Sequence, residues 1–273
     1  MANLQGRASW NTWLVRFHVV PTVQRLPHTR LHFVHADAVL YIEGEPSHTQ
    51  RLMGTAKNRF GSTAEVAVFE MADSGLREVP DSEGLFLSGS AAADALPSPG
   101  SVVMATLEGS RPVPVEVQAL VSPTAFEYPR HRATGIPLDR LHMILAVLQR
   151  HTRTSLRKVD VHVNVVGGLK VSDPAADLAI ALAIMSSASD TSIPRTVGVV
   201  GELGLSGEVR PVTALELRAN SLARVGIKTL LGPRSAQSTH KGELATGLDP
   251  VKHVAHAAAW LAAQGPVAHP NDR

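Results

Sequence analysis

Two cations within five residues, Lys57-Asn58-Arg59-Phe60-Gly61, form the first group in the chain with the makings of a binding site. An arginine fork holds a phosphate through two parallel N–H···O bonds, and a lysine adds a point charge. On composition alone the five residues read equally well as an exposed loop anchored by one Phe. The second group is longer. Between Glu127 and Lys170 the basic residues are Arg130, Arg132, Arg140, Arg150, Arg153, Arg157, Lys158 and Lys170, opposed only by Glu127, Asp139 and Asp160. Such an excess forms either a phosphate-facing patch or a solvated surface. A third group is the pair Lys170 and Ser172, which would share a face on a strand. A neutral lysine can take the proton of a serine hydroxyl, but Ser172 reads better as a turn residue ahead of a helix.

Other chemistries find no support. No G-x-x-x-x-G-K-[ST] phosphate loop occurs, and Gly226-Ile-Lys-Thr229 has the wrong spacing. The chain therefore does not read as an autonomous ATPase. It has 13 histidines, but His28, His32 and His35, like His253 and His256, lack partner carboxylates at ligand spacing. His142 and His162 read as surface residues, so no metal site is expected. The absence of cysteine excludes disulfides and thiolate zinc. Hydrophobic residues make up 44% and aromatics only 4%, so a core would be mainly Ala, Val, Leu and Ile. The longest apolar run, around Leu178–Met185, has the length of an interior helix, and no signal peptide is legible. The expectation is a cytoplasmic protein without a membrane segment.

The elements that must position these groups can be read from period and punctuation. Asp37–Glu43 and Ala64–Met71 read as strands, with a turn and return strand over Gly75–Val79. Ser88–Gly100, rich in Ser, Ala, Pro and Gly, reads as a linker. Ser101–Leu107 and Val113–Val121 form a hairpin pattern. Leu138–His151 has an amphipathic helical period. Val159, Val161, Val163 and Val165 alternate with polar residues, as in a half-buried strand, and Gly167-Gly168 follows as a turn. Asp173-Pro174 opens an interior helix to about Ser187, with Asp as N-cap and Pro in the first turn. Thr196–Val200 and Gly207–Arg210 read as strands. Thr213 and Glu216 have capping-box spacing for a helix ending at Gly226. A strand at Ile227–Leu231 and a helix at Val251–Ala263 close the pattern. No internal repeat is present.

The stretch Val165–Arg218 resembles a Lon-type serine–lysine peptidase domain. In that family the nucleophile sits in a Pro-Ser-Ala-Gly turn opening a helix. The matching turn here is Pro174-Ala175-Ala176-Asp177, and the lysine position aligns with Glu216. The resemblance thus implies a scaffold whose Ser–Lys dyad is replaced at both positions, with no catalytic residue.

A wider resemblance covers about Asp37 to Arg234. It rests on Lys57–Gly61 (KNRFG), on VLYIEGE and FGSTAEVAVFEM around it, and on ATLEGSRPVPVEVQALVSPT, DVHVNVVGGLKVSDPAADLAIALAI and GELGLSGEVRPV in order. The text resembles the bacterial DNA repair family RadA, also called Sms. That family implies an N-terminal zinc finger, a RecA-like ATPase core using ATP and magnesium, and a Lon-protease-like C-terminal domain. The fold expected is α/β (α+β): a mixed sheet packed by helices, preceded by a partial RecA-like core. By this reading residues 37–90 are the tail of that core, 98–265 the Lon-like domain and 266–273 a tail. Residues 1–36, with four Arg, four His and no acid, do not match and are expected to be disordered or to reflect a shifted reading frame. No cofactor is expected in this chain.

The family implies processing or branch migration of recombination intermediates alongside the RecA recombinase. The partners implied are single-stranded or branched DNA and a homo-oligomeric ring, including one mixed with full-length copies. Beyond Lys57–Gly61, the DNA-facing candidates are Arg130, Arg132, Arg150, Arg153, Arg157, Lys158 and Lys170. The alternatives are an oligomerisation scaffold without DNA binding and a residual Lon-like serine peptidase.

Overall fold

A computed structural model describes residues 37–43, 50–61, 66–79, 87, 98–234 and 246–265. The segments 1–36 and 266–273, and most of the Ser88–Gly100 linker, lie outside the described residues.

The first sheet is antiparallel and runs in chain order: β1 (Ala38–Glu43), β2 (Gln50–Asn58), β3 (Val66–Ala72) and β4 (Gly75–Glu78). The β2 strand was not apparent from the sequence. Its middle residue Gly54 pairs with Tyr41, and a Cβ at Gly54 would lie 2.4 Å from the Tyr41 ring. The glycine therefore gives the aromatic ring room to lie across the strand. Opposite charges face each other at Glu70 and Arg77, 2.6 Å apart.

The second sheet has seven strands. These are β5 (Ser101–Glu108), β6 (Arg111–Pro123), β7 (His131–Thr134), β8 (Val159–Val165), β9 (Val197–Val199), β12 (Thr229–Gly232) and β13 (Gly247–Pro250), in the order β13-β12-β9-β5-β6-β8-β7. Neighbours β13, β12, β9 and β5 are parallel, β6 is antiparallel to both β5 and β8, and β7 is parallel to β8. The sheet is mixed, as the family resemblance implied. A small hairpin, β10 (Glu202–Leu203) and β11 (Val209–Arg210), stands apart from it. Strand β6 ends at Pro123 and tolerates the two prolines within it, Pro112 and Pro114, because of its register. Odd-numbered residues aim their N–H groups at β5, as Ala119 does to Gly100 O at 2.8 Å. The missing donors of Pro112 and Pro114 thus face the other edge, beyond the reach of β8, which pairs only with Val117–Pro123.

Among the described residues, four α-helices complete the fold: α1 (Leu138–His151), α2 (Asp177–Ser189), α3 (Leu215–Arg224) and α4 (Val254–Ala262). Helix α2 is buried from Asp177 through Ser186 and is the centre of the main core. A helix apolar on all sides belongs in an interior. Strand β5 shows how the layers divide. Val102 and Met104 join the core of α1, α2 and α4, while Ala105, with Val103 packed alongside, joins a second cluster with Leu215, Ala219 and Leu222 of α3. Alternation puts these pairs on opposite faces. The sheet is therefore covered on both sides over β5, but among the described residues its far half is covered on one side only. There β6, β8 and β7 present Leu120, His162 and Arg132 as one cross-strand row, and Leu120 is 60% exposed.

Helix starts bear out one reading and correct another. Asp173 caps as expected: its Oδ1 accepts the Ala175 N–H at 3.0 Å, and Pro174 begins a 3-10 turn that leads into α2. The Thr213–Glu216 capping box does not form. Ala214 takes the N-cap position in a left-handed conformation, φ 54°, with no side-chain cap. Thr213 thus falls one residue too early, and Glu216 is exposed in the first turn of α3.

Candidate functional site

Lys57 and Asn58 end β2, and Arg59–Gly61 form the bend that follows. The local geometry has simple causes. Asn58 Oδ1 accepts the Phe60 N–H at 3.0 Å, a turn typical of Asn, and the Arg59 N–H bonds Asp37 O at 2.9 Å. The Arg59 guanidinium stands 3.5 Å from Asp37 Oδ1 with both side chains mostly exposed. That contact is long and solvated, so it holds Arg59 weakly. Phe60 is 84% exposed and does not anchor the bend.

The position matching the Lon nucleophile is dry and occupied by structure. Ala175 is 2% exposed, and its carbonyl accepts the Gly201 N–H at 2.8 Å. Around it lies a polar centre that the sequence did not disclose. Arg218 is fully buried and bonds Asp173 Oδ2 at 2.7 Å, Ala105 O at 2.6 Å and Thr213 O at 2.9 Å. Its Nη2 has no hydrogen-bond partner among the described residues. Asp173 Oδ2 also accepts the Leu107 N–H at 3.0 Å. One helical turn on, Asp177 takes both arms of the Arg140 fork, with Nε at 2.6 Å, and the Leu203 N–H at 3.1 Å. Burial pushes the Asp177 carboxyl up, and the Arg140 fork pulls it back. Arg140 thus leaves the basic patch and serves the core. Glu216 takes no part in this centre. Lys170 and Ser172 are exposed on either side of buried Val171, but the segment is not the strand on which they would share a face.

The remaining cations are exposed. Helix α1 runs back from the end of β7 to the start of β8. Arg150, Arg153, Arg157 and Lys158 therefore gather at the end of the sheet where Arg130 leads into β7. Arg132 lies on the uncovered face beside His162. Lys170 follows the other end of β8, where Val171 N–H bonds Gly135 O at 2.7 Å. Gly135 must be glycine there: its φ is 83°, and a Cβ would meet Leu169 O at 2.7 Å. The predicted patch is thus one cluster, one central residue and one outlier.

The segment from Thr124 to Arg130 rims this cluster. Thr124 N–H bonds Lys158 O at 3.0 Å, Arg130 N–H bonds Asp160 Oδ1 at 2.8 Å, and Val161 N–H bonds Arg130 O at 2.9 Å. The Arg130 N–H holds the Asp160 carboxyl below the usual range. Between these ties the Arg130 guanidinium sits 3.3 Å over the Phe126 ring, and Tyr128 is 75% exposed. The signal available beforehand was two aromatics among basic residues, in a chain with few aromatics. Nearby, burial and His142 together keep His131 below its ordinary pKa.

Two of the described histidines, His151 and His253, are engaged in structure. His253 accepts the Ala255 N–H on Nδ1 and so donates from Nε2 to Ser206 O at 2.9 Å, while His151 Nε2 contacts Leu205 O at 3.0 Å.

Comparison with known proteins fits this geometry. Residues 144–244 match the Lon protease (S16) C-terminal proteolytic domain. The DNA repair protein RadA of Aquifex aeolicus (strain VF5) is 44% identical over 221 residues, 81% of this chain and 48% of that protein. The chain belongs to the RadA family. Within that family, the Pseudomonas aeruginosa protein of the same name is 47% identical over 197 residues, covering 72% of this chain and 43% of its own length. The Bacillus subtilis RadA is 44% identical over a stretch of equal length, 42% of its own. The chain spans about half the length of these RadA relatives.

Proposed function

We propose that this chain acts in DNA repair and recombination as a RadA-type protein, with residues 98–265 as a DNA-binding scaffold that has no peptidase chemistry. The observation that carries the reading is the exposed cluster Arg130, Arg150, Arg153, Arg157 and Lys158 at one end of the sheet, with Arg132 on the open face. Arginines and lysines so placed contact phosphates and carry little sequence information. Lys57 and Arg59 add a second phosphate contact at the end of β2. In this reading the chain works in the cytoplasm, in a ring, on single-stranded or branched DNA beside the RecA recombinase.

Loss of peptidase chemistry rests on Ala175, which offers a buried methyl group where attack would require a hydroxyl. A salt titration of DNA binding tests the main reading. Affinity for single strands should fall with a log–log slope of about −0.7 per phosphate contact. No binding at low salt would end this reading. A scaffold role without DNA is favoured by the exposed Leu205 (73%) and Leu217 (50%). Light scattering that finds an oligomer indifferent to DNA would select it.

A further inference from the structure

Resting on the DNA-binding reading, we infer that the Thr124–Arg132 rim and the uncovered face of β6, β8 and β7 form a stacking site for the unpaired bases of single-stranded DNA. Tyr128 is 75% exposed and Phe126 48%, in a chain with six Phe and two Tyr. Large exposed rings in such a chain are not core residues displaced to the surface. The Arg130 guanidinium sits 3.3 Å above one face of the Phe126 ring, which remains 48% exposed.

Alternation extends the site onto the sheet. Arg130 and Arg132 are two residues apart at the start of β7. Asp160, His162 and Asn164 share the outer face of β8, and the Arg130 backbone is tied to the Asp160 carboxylate. Leu120, His162 and Arg132 then make a row across three strands, adjoining the rim. Cations flank exposed rings, and the acids nearby are few: Asp160 is buried and engaged, while Glu127 is exposed within the rim. This is the composition of a site that grips a backbone and stacks bases without reading their edges. Duplex DNA does not fit it, because its base faces are already stacked on each other.

The test uses the full chain and three labelled probes: an oligo(dT), an abasic strand of equal length and a duplex, with affinities measured by anisotropy at low salt. Wild type should bind oligo(dT) about tenfold or more tightly than the abasic strand. Tyr128→Ala should lower oligo(dT) affinity about tenfold, leave abasic binding nearly unchanged, and be rescued by Tyr128→Phe. Phe126→Ala should act in the same direction. Equal binding of oligo(dT) and abasic strand by wild type, or no loss in Tyr128→Ala, overturns the stacking site while leaving phosphate binding intact. Failure of wild type to bind any probe overturns both the site and the DNA-binding reading. A thermal melt of each variant confirms that these surface changes leave the fold in place.

Discussion

The polar centre at the start of α2 and the open half of the sheet use the same residue types to opposite ends. In the centre, Arg218 and Arg140 are committed to Asp173 and Asp177, and Arg218 is shut away from solvent. On the open half, Arg130, Arg132, Arg157 and Lys158 stand in water. An arginine's role here follows from burial and partner. Where the Lon resemblance locates catalysis, the chain is tied down; where it locates none, the chain keeps its cations available.

The largest way to break this contrast is Arg218→Ala. It leaves the half-buried Asp173 without its cation and empties a fully buried site, and losing one partner of a buried pair costs about 3–5 kcal/mol. Urea unfolding checks it, and a loss below about 1 kcal/mol would mean the pair does not hold the centre. Next is Arg140→Lys, which replaces the fork on Asp177 with a single point charge. A loss of about 1–3 kcal/mol is expected by the same measurement. The double change Arg130→Ala and Arg132→Ala should move stability by no more than about 0.5 kcal/mol in either direction. It should nonetheless weaken DNA binding and flatten its salt slope. Equal destabilisation of both regions would erase the distinction between them.

The smallest effect is in pH. His131 has a depressed pKa in the folded state, so the unfolded chain takes up its proton first as pH falls. Stability held above the ordinary value near 6.5 should decline as pH drops through it, and His131→Gln should remove that slope in unfolding curves. Asp160 is also depressed, so its contribution persists to lower pH and is lost only below the ordinary carboxylate range.

The sequence disclosed what a buried face imprints. Strand β8 and helix α2 were legible because one alternates Val with polar residues and the other is apolar throughout. Strands β7 and β13 were not, since they are four-residue edges with little buried surface to leave a pattern. The expected capping box failed because backbone conformation at Ala214, not side-chain type, sets where α3 begins. Nothing local marks Arg218 as buried. Its burial depends on Ala105, 113 positions away, which no local pattern records. The basic patch was visible as composition, but its division into core and surface members required the fold.

The rim from Thr124 to Arg130 is bonded at one end to Lys158, just before β8, and at the other to Asp160 and Val161 within it, before any ligand arrives. Its backbone entropy is thus lost during folding, and binding has little left to order. Encounter with a strand should then be fast and nearly the same for different sequences. Differences in affinity should appear instead as differences in how long each strand stays bound.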